Sequence, residues 1–302
     1  NFSFGTLDDD ALQYTLASGQ VNKIQWLSSG KVLSIGTAGD VYKASASSLE
    51  EAITPLNVRI AREVSHKGSD YQAAIAIDSV SLYISRTKRK IREFTFSLED
   101  DNYVAPDMTL LADHLFGNDI KCMAYQPEPY SCLWVVMNNG DLLGFTYQRL
   151  EKILAWHKHP MTNGTVESVA VIYGTNGGYE LWVVVKRTIQ DVEQRYIEMM
   201  EMPFDADDLD NESVGAFFVD SGLTYNGSPA TVISGLDHLE GETVSILADG
   251  KVIDNQVVAG GQIKLDTPAS IVHAGLPYTS TLQPMRLEAG DNQGTSQGSP
   301  MN

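Results

Sequence analysis

Along the first two hundred positions, short apolar segments alternate with clusters of Gly, Asn, Asp and Ser, the signature of strands joined by tight turns. Ile24-Gln25-Trp26-Leu27, a Ser28-Ser29-Gly30 turn, Lys31-Val32-Leu33-Ser34-Ile35-Gly36, a Thr37-Ala38-Gly39-Asp40 turn and Val41-Tyr42-Lys43-Ala44 read as a three-stranded meander. The same grammar returns three times. The second copy is Ala73 to Ile77, Leu82 to Ser85 and Ile91 to Phe96, and the third is Ile120 to Tyr125, Leu133 to Val136 and Leu142 to Tyr147. The fourth is Ser168 to Tyr173, Leu181 to Val185 and Gln194 to Glu198. The anchors Leu33, Leu82, Leu133 and Leu181 lie 49, 51 and 48 residues apart, and Phe94-Thr95-Phe96 lines up with Phe145-Thr146-Tyr147. Each unit has room for a fourth, outer strand, at Val58 to Ala61, near Tyr103, and at Ile153 to His159. Such a period predicts an all-β, propeller-like array of four-stranded blades rather than solenoid coils. An ordinary meander sandwich is the alternative reading of the same strands.

Cys132 to His159 is the clearest unit. Asn138-Asn139-Gly140-Asp141 supplies, through Asn and Gly, the positive-φ positions of a hairpin turn. Pro106 to Gly117 has helix grammar, with Pro and Asp in front, Leu111 and Leu115 on one face and Gly117 as the stop. It predicts a short helical insertion that plugs the face of the disc. The pattern divides the chain into a repeat domain over 1–202, an acidic linker over 203–213, a small β-barrel or sandwich over 214–288 and a flexible tail over 289–302. Asp249-Gly250 and Gly260-Gly261 mark turns within the small domain.

Charge and chemistry then narrow the function classes. A net charge of −18 over 302 residues argues against gripping nucleic acid through phosphates. Arg86-Thr87-Lys88-Arg89-Lys90, the one basic cluster, reads as a solvated hairpin tip. Cys122 and Cys132 flank a strand and turn and might face each other; two cysteines in a chain this long point to a reduced protein assembled in the cytosol. No apolar run reaches the ~20 residues of a membrane helix. Asp8-Asp9-Asp10 fits the cap of a helix or turn better than a cation site. The 205–209 stretch lacks the glycine of a calcium loop. No phosphate loop, dinucleotide fingerprint, nucleophile elbow or zinc-protease helix is present, and nothing singles out a catalytic pair among the 39 acidic residues, so the expectation is no cofactor and no enzymatic activity, with paired-carboxylate catalysis left open. His157 and His159 share one strand face and supply two metal ligands at most, with no third in sight, so structural hydrogen bonding is the better account. Trp26, Trp134, Trp156 and Trp182 resemble a sugar platform, but the equivalent repeat positions of Trp134 and Trp182 favour packing. These residues, with His157 and His159, are the structural signature of the repeat.

Taken together, certain words of the sequence resemble the tail nozzle, or tail tubular, proteins of short-tailed bacteriophages and related prophages. They include Asp8-Asp9-Asp10 with Tyr14 to Ser18 and Val21 to Leu27, Gly36 to Gly39, and Met123 to Pro129. They continue through Leu133 to His159, Val166 to Ala170 and Arg195 to Glu198. The small domain is similar to a β-module of the same proteins through Gly222 to Tyr225, Gly235 to Gly241 and Val272 to Tyr278. Family members are longer, so the chain, which begins Asn1-Phe2-Ser3-Phe4 without Met, reads as a middle portion. The resemblance implies a virion structural protein of the tail, assembled in the bacterial cytoplasm. It implies six copies forming a ring around a genome-ejection channel, a tail adaptor above, and fibres or spikes at the side. DNA would pass without specific binding. A receptor- or glycan-binding propeller module is the alternative, and an envelope depolymerase a third reading.

Overall fold

Four antiparallel sheets follow one another along the computed structural model, which describes residues 3–16, 22–48, 51–174, 177–204, 213–283, 290–291 and 294–295. The first sheet is β1 (Ile24–Ser28), β2 (Leu33–Thr37), β3 (Val41–Ser45) and β4 (Arg59–Val64), paired in sequence order. The second is β5 (Ile75–Ile77), β6 (Val80–Ile84), β7 (Ile91–Ser97) and β8 (Asn102–Val104). The third is β9 (Ile120–Gln126), β10 (Cys132–Met137), β11 (Leu142–Gln148) and β12 (Ile153–His159). All four copies read from the pattern are therefore sheets, and the architecture is propeller-like.

The fourth sheet departs from the expected four strands. Among the described residues it holds only β13 (Gly164–Tyr173), β14 (Tyr179–Ile189) and β15 (Val192–Met199). Pro203 follows within four residues and cannot donate to a ladder.

Neighbouring blades bury apolar residues between them. Trp26, Val41 and Val64 meet Tyr83 and Phe94 in the first seam. Leu82, Ile84 and Ile91 meet Leu133, Val135 and Phe145 in the second, the largest. Trp134, Val136 and Leu142 meet Leu181, Val183 and Val185 in the third. No buried cluster joins the first blade to the fourth among the described residues, so the array is open. The seams also refine the repeat. Leu33, Leu133 and Leu181 point away from the following blade, but Leu82 points toward it, and Tyr83 holds the equivalent position. A one-residue offset flips a strand's face. Counted through Tyr83, the spacings become 50, 50 and 48.

The turns follow their own chemistry. In Asn138 to Asp141 only Gly140 has positive φ, +89°, while its N–H donates to Met137 O. This is a type I turn with a glycine bulge, so the asparagines are not the left-handed residues expected there. Asp249-Gly250 and Gly260-Gly261 each place two successive residues at positive φ. So does Gln190-Asp191, a hairpin turn with no glycine to announce it.

The insertion is a 3-10 helix over Leu110–Leu115, broken by non-helical dihedrals at Ala112. The break turns the expected apolar stripe: Leu111 is 95% exposed, whereas Ala112 and Phe116 are buried. Phe116 meets Trp156 of β12 edge-on, and Trp156 Nε1 donates to Met108 O at 2.8 Å. The insertion thus fills the outer end of the second seam rather than the face of the disc.

A further sheet, in order β16-β19-β17-β18, comprises β16 (Asp220–Ser234), β17 (Thr243–Ala248), β18 (Lys251–Val257) and β19 (Gln262–Leu276), with its own apolar core. β14 is long enough to serve two partners. Its Leu181, Val183 and Val185 face the third blade, while Ile189 enters the core of the small sheet. Most of the expected acidic linker (205–212) lies outside the described residues. So does the tail, apart from a short ladder between Gly290–Asp291 and Gly294–Thr295.

Candidate functional site

Two polar centres stand out, one expected and one not. In the third blade, β-register sets Trp134 opposite Gly144, and Gly144 opposite His157. Any Cβ at Gly144 would fall 2.1 Å from His157 Cε1, so the glycine makes room for an imidazole lying flat on the strand. His157 Nδ1 and His159 Nε2 are 2.7 Å apart, and Trp134 meets the His159 ring at 5.0 Å between centroids. Trp134 Nε1 donates to Gln126 Oε1 at 2.9 Å, and Gln126 Nε2 donates to Tyr179 O of the fourth blade at 2.8 Å. The histidines are hydrogen-bonded members of a seam. No group of three or more His, Cys, Asp or Glu among the described residues could hold a metal ion.

One imidazole must accept from the other, so the pair suits the neutral state. Burial lowers the pKa of both rings, and burial together with the nearby His157 pushes His159 down to about 4. An unfolded histidine takes up its proton near pH 6.5. Between that value and about 4 the unfolded chain binds more protons, so stability is intact above the window and falls as pH drops through it. The urea midpoint is expected to fall from pH 7.5 to pH 4.5, with a smaller fall in His159→Gln. An equal fall in both proteins would assign the acid sensitivity to other groups.

The second centre lies where the fourth blade meets the small sheet. Arg187 is fully buried. It donates to both carboxylate oxygens of Glu198, at 2.6 Å each, to both of Asp220, at 3.1 and 2.7 Å, and to Thr162 O. Burial alone would lower its pKa, but the Glu198 and Asp220 carboxylates outweigh burial and raise it, so the guanidinium stays charged. Thr162 N donates to Asp220 and Thr162 Oγ1 to Pro277 O. Beside this hub runs a polar groove of about 510 Å³ lined by Asn163, Thr165, Lys186, Thr188, Gln190, Asp191, Glu193 and Glu242.

The remaining sequence candidates are scattered. Trp26 is buried in the first seam against Tyr83, and Trp156 stacks on Phe145 at 4.4 Å. Trp182 is half-buried and donates to Glu180. The four tryptophans therefore form no common platform. Three cations of the basic cluster are each beside a carboxylate: Lys88 by Asp70, Arg89 by Asp119 and Lys90 by Asp107. Cys122 pairs across the sheet with Val136 and Cys132 with Gln126, so the thiols do not face each other. Asp10 closes a turn, accepting from Leu7 N and Ser3 Oγ. No helix among the described residues is long and apolar enough to cross a membrane.

No family model matches the chain, and no curated protein matches it. Among solved structures, it is similar to an exo-β-1,3-galactanase from Phanerochaete chrysosporium with galactose. The TM-score is 0.29 and the identity 9%, over 81% of this chain and 74% of that one. It is also similar to a variant of that enzyme with β-1,3-galactotriose, at a TM-score of 0.30 and 10% identity over the same shares. Both are glycoside hydrolases, which overturns the expectation of no enzymatic activity. At these scores the likeness assigns this chain neither a reaction nor a residue.

Proposed function

We propose that the chain is a segment of a phage tail nozzle, a virion module that assembles into a ring around a genome-ejection channel and carries fibres or spikes at its side. The observation that carries this reading is the propeller-like array of sheets followed by the small sheet, in the order in which the family's words run. The sequence words shared with the nozzle family support the same reading. In it, six copies of the full-length protein form the ring, and a tail adaptor sits above. The assembly occurs in the bacterial cytoplasm and the product resides in the virion tail.

Charge fits a channel that lets DNA pass. The net charge is −18, three of the four cations of the basic cluster lie beside carboxylates and Arg187 is sequestered. An array of paired cations offers phosphates little to settle on. Electron microscopy of the full-length protein is expected to show sixfold rings, and gel-shift assays at moderate salt no DNA retention. Lone particles, or tight DNA binding, would overturn the proposal.

A second reading, recognition of an envelope glycan, is favoured by the groove at Asn163, Gln190 and Glu242, whose side chains suit hydroxyl groups. Glycan-array binding that is lost in Gln190→Ala would support it, and an array without signal would remove it.

A further inference from the structure

We propose that Asn226 is a site of self-driven deamidation on the small sheet, where a side-chain amide is exchanged for a carboxylate with water as the only co-reactant.

Asparagine is a chemically labile residue, most of all before glycine, because the attacking group is the next backbone nitrogen and a side chain there obstructs it. The Gly227 nitrogen bonds to Asn226 Cγ and gives up its proton, the Cγ–Nδ2 bond breaks, and ammonia leaves. Water then opens the five-membered succinimide at either carbonyl. One opening gives aspartate. The other gives isoaspartate, whose backbone runs through Cβ and Cγ and is one carbon longer. The ring closes only where the backbone can turn to bring the nitrogen over Cγ, so the fold decides which pair reacts.

Asn-Gly occurs at 139, 163 and 226 among the described residues. In the third blade the Asn139 amide is clamped: Nδ2 donates to Asp141 Oδ2 at 2.9 Å and Oδ1 accepts from Asp141 N at 3.3 Å. The nitrogen that would attack, Gly140 N, is engaged with Met137 O at 2.9 Å. Asn163 O accepts from Thr188 N at 2.9 Å, and Gly164 is packed at the hub, where a Cβ would fall 2.9 Å from Val185 and 3.1 Å from Arg187.

Asn226 has neither restraint. It is exposed together with Gly227, Ser228 and Pro229, and no hydrogen bond holds its amide among the described residues. The register steps from Asn226 opposite Ile271 to Ala230 opposite Ala269, so 227–229 bulge without cross-strand partners. Pro229 has no N–H to offer a ladder. β16 is also an edge strand, in the order β16-β19-β17-β18, so the bulge can flex, or lengthen by one carbon, without breaking a second ladder. The product adds one more carboxylate to a chain of net charge −18.

The test holds the full chain at mildly alkaline pH, folded or in urea, and maps peptides over time by mass spectrometry with aspartate and isoaspartate forms separated. In the folded chain Asn226 is expected to convert first, well ahead of Asn139 and Asn163, with an unchanged circular dichroism spectrum. In urea the three are expected to convert at similar rates. Ion exchange is expected to show a new acidic species that Asn226→Gln does not form. Conversion of Asn139 or Asn163 first in the folded chain would overturn the proposal. So would an Asn226 that converts only in urea, the same order of conversion in both states, or an acidic species that persists in Asn226→Gln.

Discussion

Replacing Arg187 by methionine is expected to cost about 3–5 kcal/mol of folding stability, because it leaves buried carboxylates without their cation. The guanidinium is wholly out of solvent, and its partners Glu198 and Asp220 are 18% and 13% exposed at their side chains. Methionine fills a similar volume but donates nothing, so both carboxylates lose their cation and Thr162 O loses this donor, while Asp220 keeps Thr162 N and Glu198 keeps Ser221 Oγ. Arg187→Lys is expected to recover only part of the loss, since an ammonium cannot present a planar fork to two carboxylates at once. The loss should also be local. Asp220 opens β16 and Glu198 belongs to β15, so the variant weakens the joint between the fourth blade and the small sheet. Urea unfolding followed by far-ultraviolet circular dichroism checks this, with separation of the transition into two phases as the sign of uncoupling. A loss below about 1 kcal/mol would place the joint's strength elsewhere.

Trp134→Ala is expected to cost about 3–5 kcal/mol, the range for removing a large buried ring and leaving a cavity. Trp134 is 5% exposed and sits in the third seam, and its indole N–H holds Gln126 in place to reach Tyr179 O. Deleting the ring thus loosens the link between the third and fourth blades. Trp134→Phe keeps most of the apolar surface and loses the donor, so a loss of about 1–2 kcal/mol is expected. Trp182→Ala is the informative comparison. It stands at the same repeat position but is half-buried on a face without a blade, and in the unassociated chain its loss is expected to be much smaller. Equal losses at 134 and 182, measured by chemical denaturation, would contradict the open array.

Most of the strand pattern was legible because period-2 alternation and turn residues act locally. β12 was read as Ile153 to His159, its bounds in the structure, since three of the four residues Arg149 to Lys152 are charged and His159 is followed by Pro160. The missing outer strand of the fourth blade was not legible, because pairing depends on where the chain goes after Met199. The helix grammar at Pro106 to Gly117 misled in detail. A stretch anchored by Trp156 at one side and Asp107 bonded to Thr109 at the other forms a tighter 3-10 turn than its apolar spacing suggests. The hub was missed although a signal existed. Leu181, Val183, Val185, Arg187 and Ile189 occupy alternate positions of one strand, and a lone charge in such a row implies a buried counter-charge. Which carboxylates supply it is a long-range fact: Asp220 is 33 residues away. The His157–His159 hydrogen bond followed from shared strand face, whereas the space for it came from Gly144 on the neighbouring strand.

In a row of units joined only to their neighbours, stability is a sum of unit terms and joint terms, so position in the row decides how well each unit is held. The second and third blades are each supported from both sides and share the largest joint. The fourth blade is clamped to the small sheet by the Arg187 hub. The first blade has only its inner joint, and in that joint Trp26 Nε1 has no hydrogen-bond partner, unlike Trp134 Nε1 in the third. Among the described residues the array is therefore graded along its length, with the second and third blades held from both sides and the first blade held through its inner joint.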